Sequence, residues 1–319
     1  MRWSHLLLLS AITAAAVASA FASQIDDYVV NVLILIGINM ILATSLNLVN
    51  GHTGQFSLGH AGFMAVGAYG SSAVTLFAGG NISAALGGGA FSHQALFFFA
   101  ILVGGLAAAV AGFVVGVPSL RLRGDYLAIV TLGFGEIIRV IVQNTDAIGG
   151  PRGLNKIPAF TTVFWTFSLA AVTVYVVSNL VDSTYGRGFL AVRDDEIAAE
   201  AMGINTTKYK VLAFVLGSFF AGVAGALYAH YITYITPEGF NFMKSVDVVV
   251  MVILGGMGNV VGVLVAAALL TLLNEWLRSF EQYRMIVFAL LLIVMMILRP
   301  QGLLGGLRWP FKGRLGKEA

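Results

Sequence analysis

The sequence predicts an all-α protein that folds as a polytopic bundle of membrane helices. Of its 319 residues, 58% are hydrophobic and 10% are charged, whereas soluble domains carry roughly 25% charged residues. The apolar residues form runs long enough to cross a hydrocarbon layer of about 30 Å at 1.5 Å per residue. The 38 glycines lie largely inside these runs, where small residues allow helices to approach closely. Such a chain cannot cover a globule with polar surface.

Composition also excludes several kinds of chemistry. Without cysteine, disulfides and thiolate sites are ruled out. The excess of 18 Lys and Arg over 15 Asp and Glu is small and lies in loops and tail, which indicates membrane topology and no nucleic-acid partner. The sequence contains no Gly-x-x-x-x-Gly-Lys-Ser/Thr loop, no metal-ligand cluster and no carboxylate pair placed for acid–base work. We therefore expect no catalytic residue, no metal and no cofactor bound by this chain.

Six crossings are predicted in the first part of the chain. The first could instead be a cleavable signal peptide, because Arg2 and Ala18-Ser19-Ala20 flank its apolar run. We interpret it as a retained span, since polytopic proteins seldom need a cleaved signal. In the fourth, Gly104, Ala108, Gly112 and Gly116 recur every four residues, as in tightly packed helices. The crossings are 6–22, 29–49, a helix that follows a broken start and ends near 77, 94–117, 126–142 and 160–181.

The second part poses a problem of parity. Residues 211–234 predict one span, and 246–273 are too long for another and are interrupted by Gly-Gly-Met-Gly-Asn at 255–259. The tail 300–319 is basic and should be cytoplasmic. The tail lies on the cytoplasmic side only if 246–273 crosses the membrane twice, divided at the glycines, before a last span at 285–298. We therefore expect about ten crossings, including glycine-broken half-helices, with both termini cytoplasmic, a membrane domain at 1–299 and a cytoplasmic tail at 300–319.

The longest polar interruption is the loop 183–210, which is rich in Lys and Arg and is predicted to be cytoplasmic. Asp194 can cap a short helix there, Asp195 and Glu196 fall in its first turn, and Gly203 can end it. Two helical turns in water have little reason to be ordered alone. One side of this helix is apolar, formed by Ile197, Ala198, Ala201 and Met202. We expect it to dock into another protein.

Two glycine-broken stretches, 50–67 and 254–262, are candidates for a translocation pathway. Irregular backbone at membrane depth is tolerated only where protein or a watery cavity covers it, and interrupted segments in both halves often mark a transport route. The alternative, glycines used for close packing only, has equal support. The candidate residues are Asn47, Gly51, Gly54, Ser57, Gly59, His60, Gly255, Gly256, Gly258 and Asn259.

Ionisable side chains at membrane depth are a separate question. Glu136 and Arg139 are three residues apart on one helix face. We interpret them as a structural ion pair. His52, His60 and His230 have Gly, Ser and Thr nearby, which favours ordinary hydrogen bonding over a proton relay.

Several blocks together resemble one family, the LivM-type permease subunit of branched-chain amino-acid ABC importers (the LivH/LivM permease family). Ala198-Ala199-x-x-x-Gly203 resembles the coupling loop of such permeases, although Ile197 stands where the general pattern has Glu and Glu196 lies one place earlier. The family shows this same departure. The other blocks are Ser45-Leu-Asn-Leu48, Gly51-x-x-Gly-Gln-x-Ser-Leu-Gly-His-Ala61, Leu120-Arg-Leu-Arg-Gly-Asp-Tyr126, Gly135-Glu-Ile-Ile-Arg139, Gly149-Gly-Pro-x-Gly-Leu154 and Gly255-Gly-Met-Gly-Asn-x-x-Gly262.

The resemblance implies an importer in the bacterial inner membrane. Its partners would be a companion LivH-type permease, two cytoplasmic ABC ATPases that bind the ATP, a periplasmic amino-acid-binding protein and the lipid bilayer. Movement of the loop helix would tilt the attached spans 160–181 and 211–234. The alternatives are a urea or short-chain amide ABC permease and an ion-coupled secondary transporter working alone. The implied coupling residues are Arg193, Asp194, Glu196, Ala198, Ala199 and Gly203.

Overall fold

Twelve α-helices follow one another in the part of the chain that the computed structural model describes, which is residues 2–21, 24–80, 87, 89–119, 125–278, 283–298 and 302–304. Within those residues the one strand-like pairing is an antiparallel bridge between Leu154 and Ile235. The predicted all-α polytopic bundle is confirmed. The helices are α1 (Arg2–Phe21), α2 (Asp27–Asn47), α3 (His60–Ala73), α4 (Ala90–Ser119), α5 (Asp125–Gln143), α6 (Val163–Val181), α7 (Thr184–Asp194), α8 (Glu196–Ala201), α9 (Thr206–Ile232), α10 (Phe242–Gly255), α11 (Val260–Trp276) and α12 (Arg284–Leu298).

Each predicted crossing coincides with a helix. Among the residues that the structure describes, six stretches are long and apolar enough to span a membrane: 27–52, 60–78, 91–119, 126–143, 163–181 and 206–232. Apolar helices at 8–21 and 260–276 are shorter. The chain is divided at the glycines as expected, since α10 ends at Gly255 and α11 begins at Val260. Which end of the bundle faces the cytoplasm stays a prediction, and the tail 300–319 lies outside the described residues except for 302–304.

Irregular helical turns extend two of the spans. A π-helical turn, Leu48–His52, continues α2, and another, Val74–Ala78, continues α3. Between the first of these and α3, residues 53–59 have no regular secondary structure, which confirms the predicted break before a helix that ends near residue 77. Short 3₁₀ turns at Asp146–Ile148, Gly150–Arg152 and Pro237–Phe240 lie at the opposite end of the bundle from α7 and α8.

Helix α9 is the centre of the bundle. It packs against α3 and α4 and also touches α2. Helix α2 in turn packs on α6 and α11, α10 lies against α11 and α2, and α1 lies along α6. The buried side chains of α2 and α9 are mostly aliphatic or small, among them Ile38, Ile41, Ala224 and Leu227. Because lipid is as apolar as these side chains, close van der Waals packing supplies much of the association free energy.

Glycines carry the closest crossings of α3, α4 and α9. A Cβ placed on Gly104 would lie 2.6 Å from the carbonyl oxygen of Gly67, and one on Gly222 would lie 2.5 Å from the Cβ of Ala108. A Cβ on Gly67 would overlap the backbone of Gly222. The small-residue stripe predicted on α4 therefore lies in a helix contact at Gly104, Ala108 and Gly112, where Gly112 lies against Ser218.

These contacts predict unequal effects for two glycines of the same helix. Gly67→Ala places its methyl group against the backbone of α9, which cannot yield as a side chain can, and should cost about 1–3 kcal/mol of stability. Gly70→Ala meets its nearest neighbour, the Cβ of Ala107, at 3.6 Å and should be neutral or slightly stabilising. Thermal unfolding of the detergent-solubilised protein, followed by size-exclusion chromatography, measures the difference. Equal midpoints for the two variants would contradict this packing.

Candidate functional site

Three segments that are distant in sequence meet at one end of the bundle. The first is the turn that follows α2, the second is the turn 256–259 between α10 and α11, and the third is the α7–α8 segment. We call the contact of Asn47, Gly51, Gly54, Arg193 and Gly258 the glycine junction. All five were candidate site residues in the sequence. Arg193 was a coupling candidate, and the other four were pathway candidates.

A hydrogen bond joins the two glycine turns of the junction. The side-chain oxygen of Asn47 accepts from the backbone N–H of Gly258 at 2.8 Å. Gly258 has a φ of +84°, and a Cβ placed on it would lie 3.3 Å from the carbonyl oxygen of Gly51. A Cβ on Gly51 would overlap the Gly258 nitrogen. The glycines are therefore needed both for conformation and for the direct approach of one backbone to the other.

Arg193, near the end of α7, lies across both turns. A Cβ on Gly54, whose φ is +69°, would lie 2.9 Å from Cγ of Arg193, and one on Gly258 would lie 3.5 Å from its Nη1. Nε and Nη2 of Arg193 donate to the carboxylate of Asp194 at 3.1 and 2.9 Å. Asp194 therefore orients the guanidinium of a side chain that lies against both turns, which places Asp194 beside the junction.

The cap of the short helix α8 corrects one sequence prediction. Asp194 does not cap it, because α7 continues through Asp194 as its last residue. Asp195 takes that position with an extended backbone, and its carboxylate accepts from the N–H groups of Ile197 and Ala198 at 2.9 and 3.0 Å. The sequence offered two adjacent aspartates, and the extent of the preceding helix decided between them. Gly203 follows the helix with a φ of +81°, as expected of a C-terminal glycine.

Helix α8 is tied to the start of α9 by two side-chain contacts. Glu196 forms an ion pair with Lys210, whose side chain is buried. Glu200 accepts a hydrogen bond from the hydroxyl of Thr206 at 2.8 Å. A six-residue helix with these ties and a capped N-terminus is held in one orientation relative to α9. Beside it, at the end of α6, partial burial raises the pKa of the Asp182 carboxyl above its ordinary value.

The orientation of α8 leaves an apolar surface in solvent. Ile197 is 67% exposed and Met202 is 81% exposed, and Ala198 and Ala201 are exposed beside them. Ala199 points inward and is 5% exposed. The four residues assigned to an apolar face from the sequence are thus all at the surface, while one of the two alanines of the motif serves packing.

The remaining pathway candidates lie around the junction and serve other contacts. His60 lies 2.8 Å from the Ser45 hydroxyl, which itself donates to the carbonyl of Leu42, so Nε2 of His60 is the donor. Gly59 lies against α5, where the N–H of Leu58 donates to Thr131 at 3.1 Å. The N–H of Ser57 donates to the side-chain oxygen of Asn50. The structure does not bring His60, Gly59 or Ser57 to the junction itself.

Asn259 holds a returning segment of chain against the second turn. Its side-chain oxygen accepts from the N–H of Gly262 and so caps α11, while its amide nitrogen donates to the carbonyl of Leu304 at 2.6 Å. The N–H of Leu303 donates to the carbonyl of Leu254 at 2.8 Å. Gly255 and Gly256 contact the α11 start and Gly302 respectively. No pattern in the sequence predicted that 302–304 would return here.

A group of buried polar side chains lies beside the junction; sequence reasoning named only His52 among them, for which it expected ordinary hydrogen bonds, and missed the other three. Thr44, Asn50, His52 and Gln55 are all buried. Each has a side-chain nitrogen or oxygen without a hydrogen-bond partner among the described residues, and so does the amide nitrogen of Asn47. Buried polar atoms are usually paired. The end of α2 and the turn after it therefore have hydrogen-bonding capacity that no described residue satisfies, and four polar residues within twelve positions of an apolar run could have indicated it.

Comparison with known proteins agrees with this architecture. Residues 28–298 match the family described as branched-chain amino acid transport system / permease component. The chain is 38% identical over 256 residues to the high-affinity branched-chain amino acid transport system permease protein LivM of Salmonella typhimurium, a match that covers 69% of this chain and 60% of the relative. It is 39% identical over 243 residues to LivM of Escherichia coli K12, covering 65% and 57%.

A second kind of permease subunit is also related. The chain is 31% identical over 156 residues to the permease protein LivH of Escherichia coli K12, covering 47% of this chain and 49% of the relative. The chain thus matches about 60% of the length of the LivM relatives and half of LivH. No solved structure matches it.

Proposed function

Because this chain belongs to the branched-chain amino acid transport permease family, we propose that it is the permease subunit of an ATP-driven importer of branched-chain amino acids in the bacterial inner membrane. The observation that carries the proposal is a rigidly held helix, α8, with an exposed apolar face, next to an arginine that contacts both glycine turns. That arrangement suits a docking surface for a separate ATPase subunit.

The proposal assigns partners to the two ends of the bundle. The exposed Ile197 and Met202 would dock into one of two cytoplasmic ABC ATPases, which bind the ATP. A LivH-type permease would be the companion subunit in the membrane, and a periplasmic binding protein would deliver the amino acid at the opposite end. The loop 183–210, both termini and the tail 300–319 are then cytoplasmic, and residues 1–299 form the permease domain.

Coupling follows from the contacts of α8. When the ATPases close, α8 moves, and its ties through Lys210 and Thr206 pass the displacement to α9. Helix α7 passes it to α6 and carries Arg193 across the turns at Gly54 and Gly258. A conformational change needs a contact that differs between two states. The Arg193 contacts with two glycine turns are such a contact.

Transport by the complete importer tests the function. This chain, the companion permease and the ATPases are reconstituted in liposomes with the binding protein outside, and uptake of radiolabelled leucine is measured. We expect accumulation that needs ATP on the ATPase side and survives an ionophore. Uptake by this chain alone, driven by an ion gradient, would establish the ion-coupled alternative instead. Uptake of urea or short-chain amides in place of leucine would establish the alternative of a urea or short-chain amide permease.

The docking surface on α8 yields a further prediction. The double variant Ile197→Ser with Met202→Ser removes two exposed apolar side chains and leaves the ties to α9 in place. We expect at least a tenfold loss of ATPase subunits co-purified with the permease, because truncating buried interface anchors typically costs 1 kcal/mol or more each. Thr207→Ala, an exposed residue of the same loop, is the matched control. Retention of the ATPases by the double variant would remove α8 from the interface.

Arg193 should affect coupling and not assembly. Arg193→Ala removes the side chain that lies across both turns, so we expect normal assembly and ATP hydrolysis but about tenfold less leucine transported per ATP. Arg187→Ala, which truncates an exposed arginine on the same helix, should leave that ratio unchanged. The ratio is obtained from parallel uptake and phosphate-release assays. An unchanged ratio in Arg193→Ala would show that the junction does not transmit the motion.

A further inference from the structure

A cavity on the lateral face of the bundle is not part of the glycine junction. It has a volume of about 440 Å³ and lies between α5 and the segment that leads into α10. Three charged side chains line it together with one amide and two apolar side chains. They are Glu136, Arg139, Glu238, Asn241, Phe242 and Met243.

The charged groups of this cavity are paired only in part. Nε of Arg139 donates to Oε2 of Glu136 at 2.7 Å, which confirms the ion pair expected from the sequence. The two terminal nitrogens of the guanidinium lie outside this contact, as does the second oxygen of the carboxylate. The side chains of Arg139 and Glu136 remain 27% and 36% exposed. The pair therefore keeps donors and an acceptor available on the cavity side.

The position of these charges is unusual for a membrane helix. Helix α5 is the least buried of the six candidate spans, and the most exposed side chains near its charged pair are apolar, among them Ile137, Val140 and Ile141. Charged residues within spans seldom face lipid, and they commonly mark substrate pathways. The cavity is thus a polar notch in an otherwise apolar face, as expected where a companion subunit and a pathway cover it.

A narrow space continues from the cavity toward the turn before α3. Its volume is about 10 Å³, close to that of one water molecule. Ser245 of α10 closes part of it by accepting a hydrogen bond from the N–H of Ala61 at 3.0 Å. The cavity and this space share Glu136, Asn241 and Phe242, and the inner space adds Leu58, Ala61 and Ser245. The cavity and this smaller space are therefore neighbours with three lining residues in common.

We propose that this cavity is a pathway site for the zwitterionic head group of a free α-amino acid. The terminal nitrogens of Arg139 bind the carboxylate in the two-pronged geometry that guanidinium favours. Glu136 and Glu238 bind the ammonium group, and Phe242 and Met243 contact the aliphatic side chain. The assignment rests on the proposed function, which it deepens by giving the substrate contacts within this chain. A neutral solute such as urea would not use charges of both signs.

Site-directed labelling tests the ligand chemistry directly. The chain has no cysteine, so Met243→Cys introduces a single thiol in the cavity of the assembled transporter. We expect leucine to slow the reaction of this thiol with a water-soluble methanethiosulfonate reagent at least threefold. Isopentylamine and 4-methylpentanoate, each of which lacks one of the two charges, should not protect it. Tyr234→Cys, exposed at the same end but outside the cavity, should be insensitive to all three compounds. Equal protection by all three, or by none, overturns the proposal.

Charge variants test the same site through transport. We expect Glu136→Gln, Arg139→Gln and Glu238→Gln each to lower leucine uptake at least tenfold while ATPase assembly is retained. Exchange of the pair, Glu136→Arg with Arg139→Glu, preserves the ion pair but reverses its polarity, and should not restore uptake. The matched controls are Glu275→Gln and Arg278→Gln, since Glu275 and Arg278 form a pair with the same spacing at 3.1 Å near the end of α11.

The outcomes separate the site from the function. If wild type accumulates leucine and the exchanged pair does so equally well, the charges serve folding only and the site is overturned. If a charge variant fails to assemble, the labelling experiment with Met243→Cys decides. If wild type does not accumulate leucine at all, the proposed function itself falls, and the site falls with it.

Discussion

Direct contact between two glycine turns is the constraint on which the rest of this structure depends. Gly51 and Gly258 meet backbone to backbone, and the amide oxygen of Asn47 holds the second turn in place. Each turn lies at the point where a membrane helix breaks, so this contact joins the end of α2 to the break between α10 and α11. Because no side chain lies between the two backbones, a displacement of one turn is expected to displace the other.

The position of Arg193 links the two glycine turns to α7 and α8. The arginine belongs to α7, which the chain places between the end of α6 and the rigidly anchored α8. It is oriented by Asp194 and lies against Gly54 and Gly258. Under the proposed coupling, a displacement of α8 would reach the two turns through α7 and Arg193, and would reach the central helix α9 through Lys210 and Thr206. A small surface with two such connections suits the ATPase interface proposed for α8.

The architecture could be predicted from local signals and the site only in part. Apolar runs and glycine breaks place every predicted span within a few residues of a helix, and the charge of the tail predicts the division at 255–259, but α7 inside the polar loop was not predicted. The identity of the α8 cap could not be predicted, because it depends on how far α7 extends. The distant partners of Asn47, Asn259 and Arg193 lie 45 or more residues away, and no local pattern marks them. Glu136 and Arg139 were recognised as a pair, but their cavity also needs Glu238 and Asn241 from a loop about one hundred residues later.

The returning segment 302–304 has a consequence for biogenesis. The carbonyl of Leu254 and the amide of Asn259 find their partners in Leu303 and Leu304, about forty-five residues further along the chain. During synthesis the hydrogen bonds from Leu303 to Leu254 and from Asn259 to Leu304 can therefore form only after α12 has been synthesised.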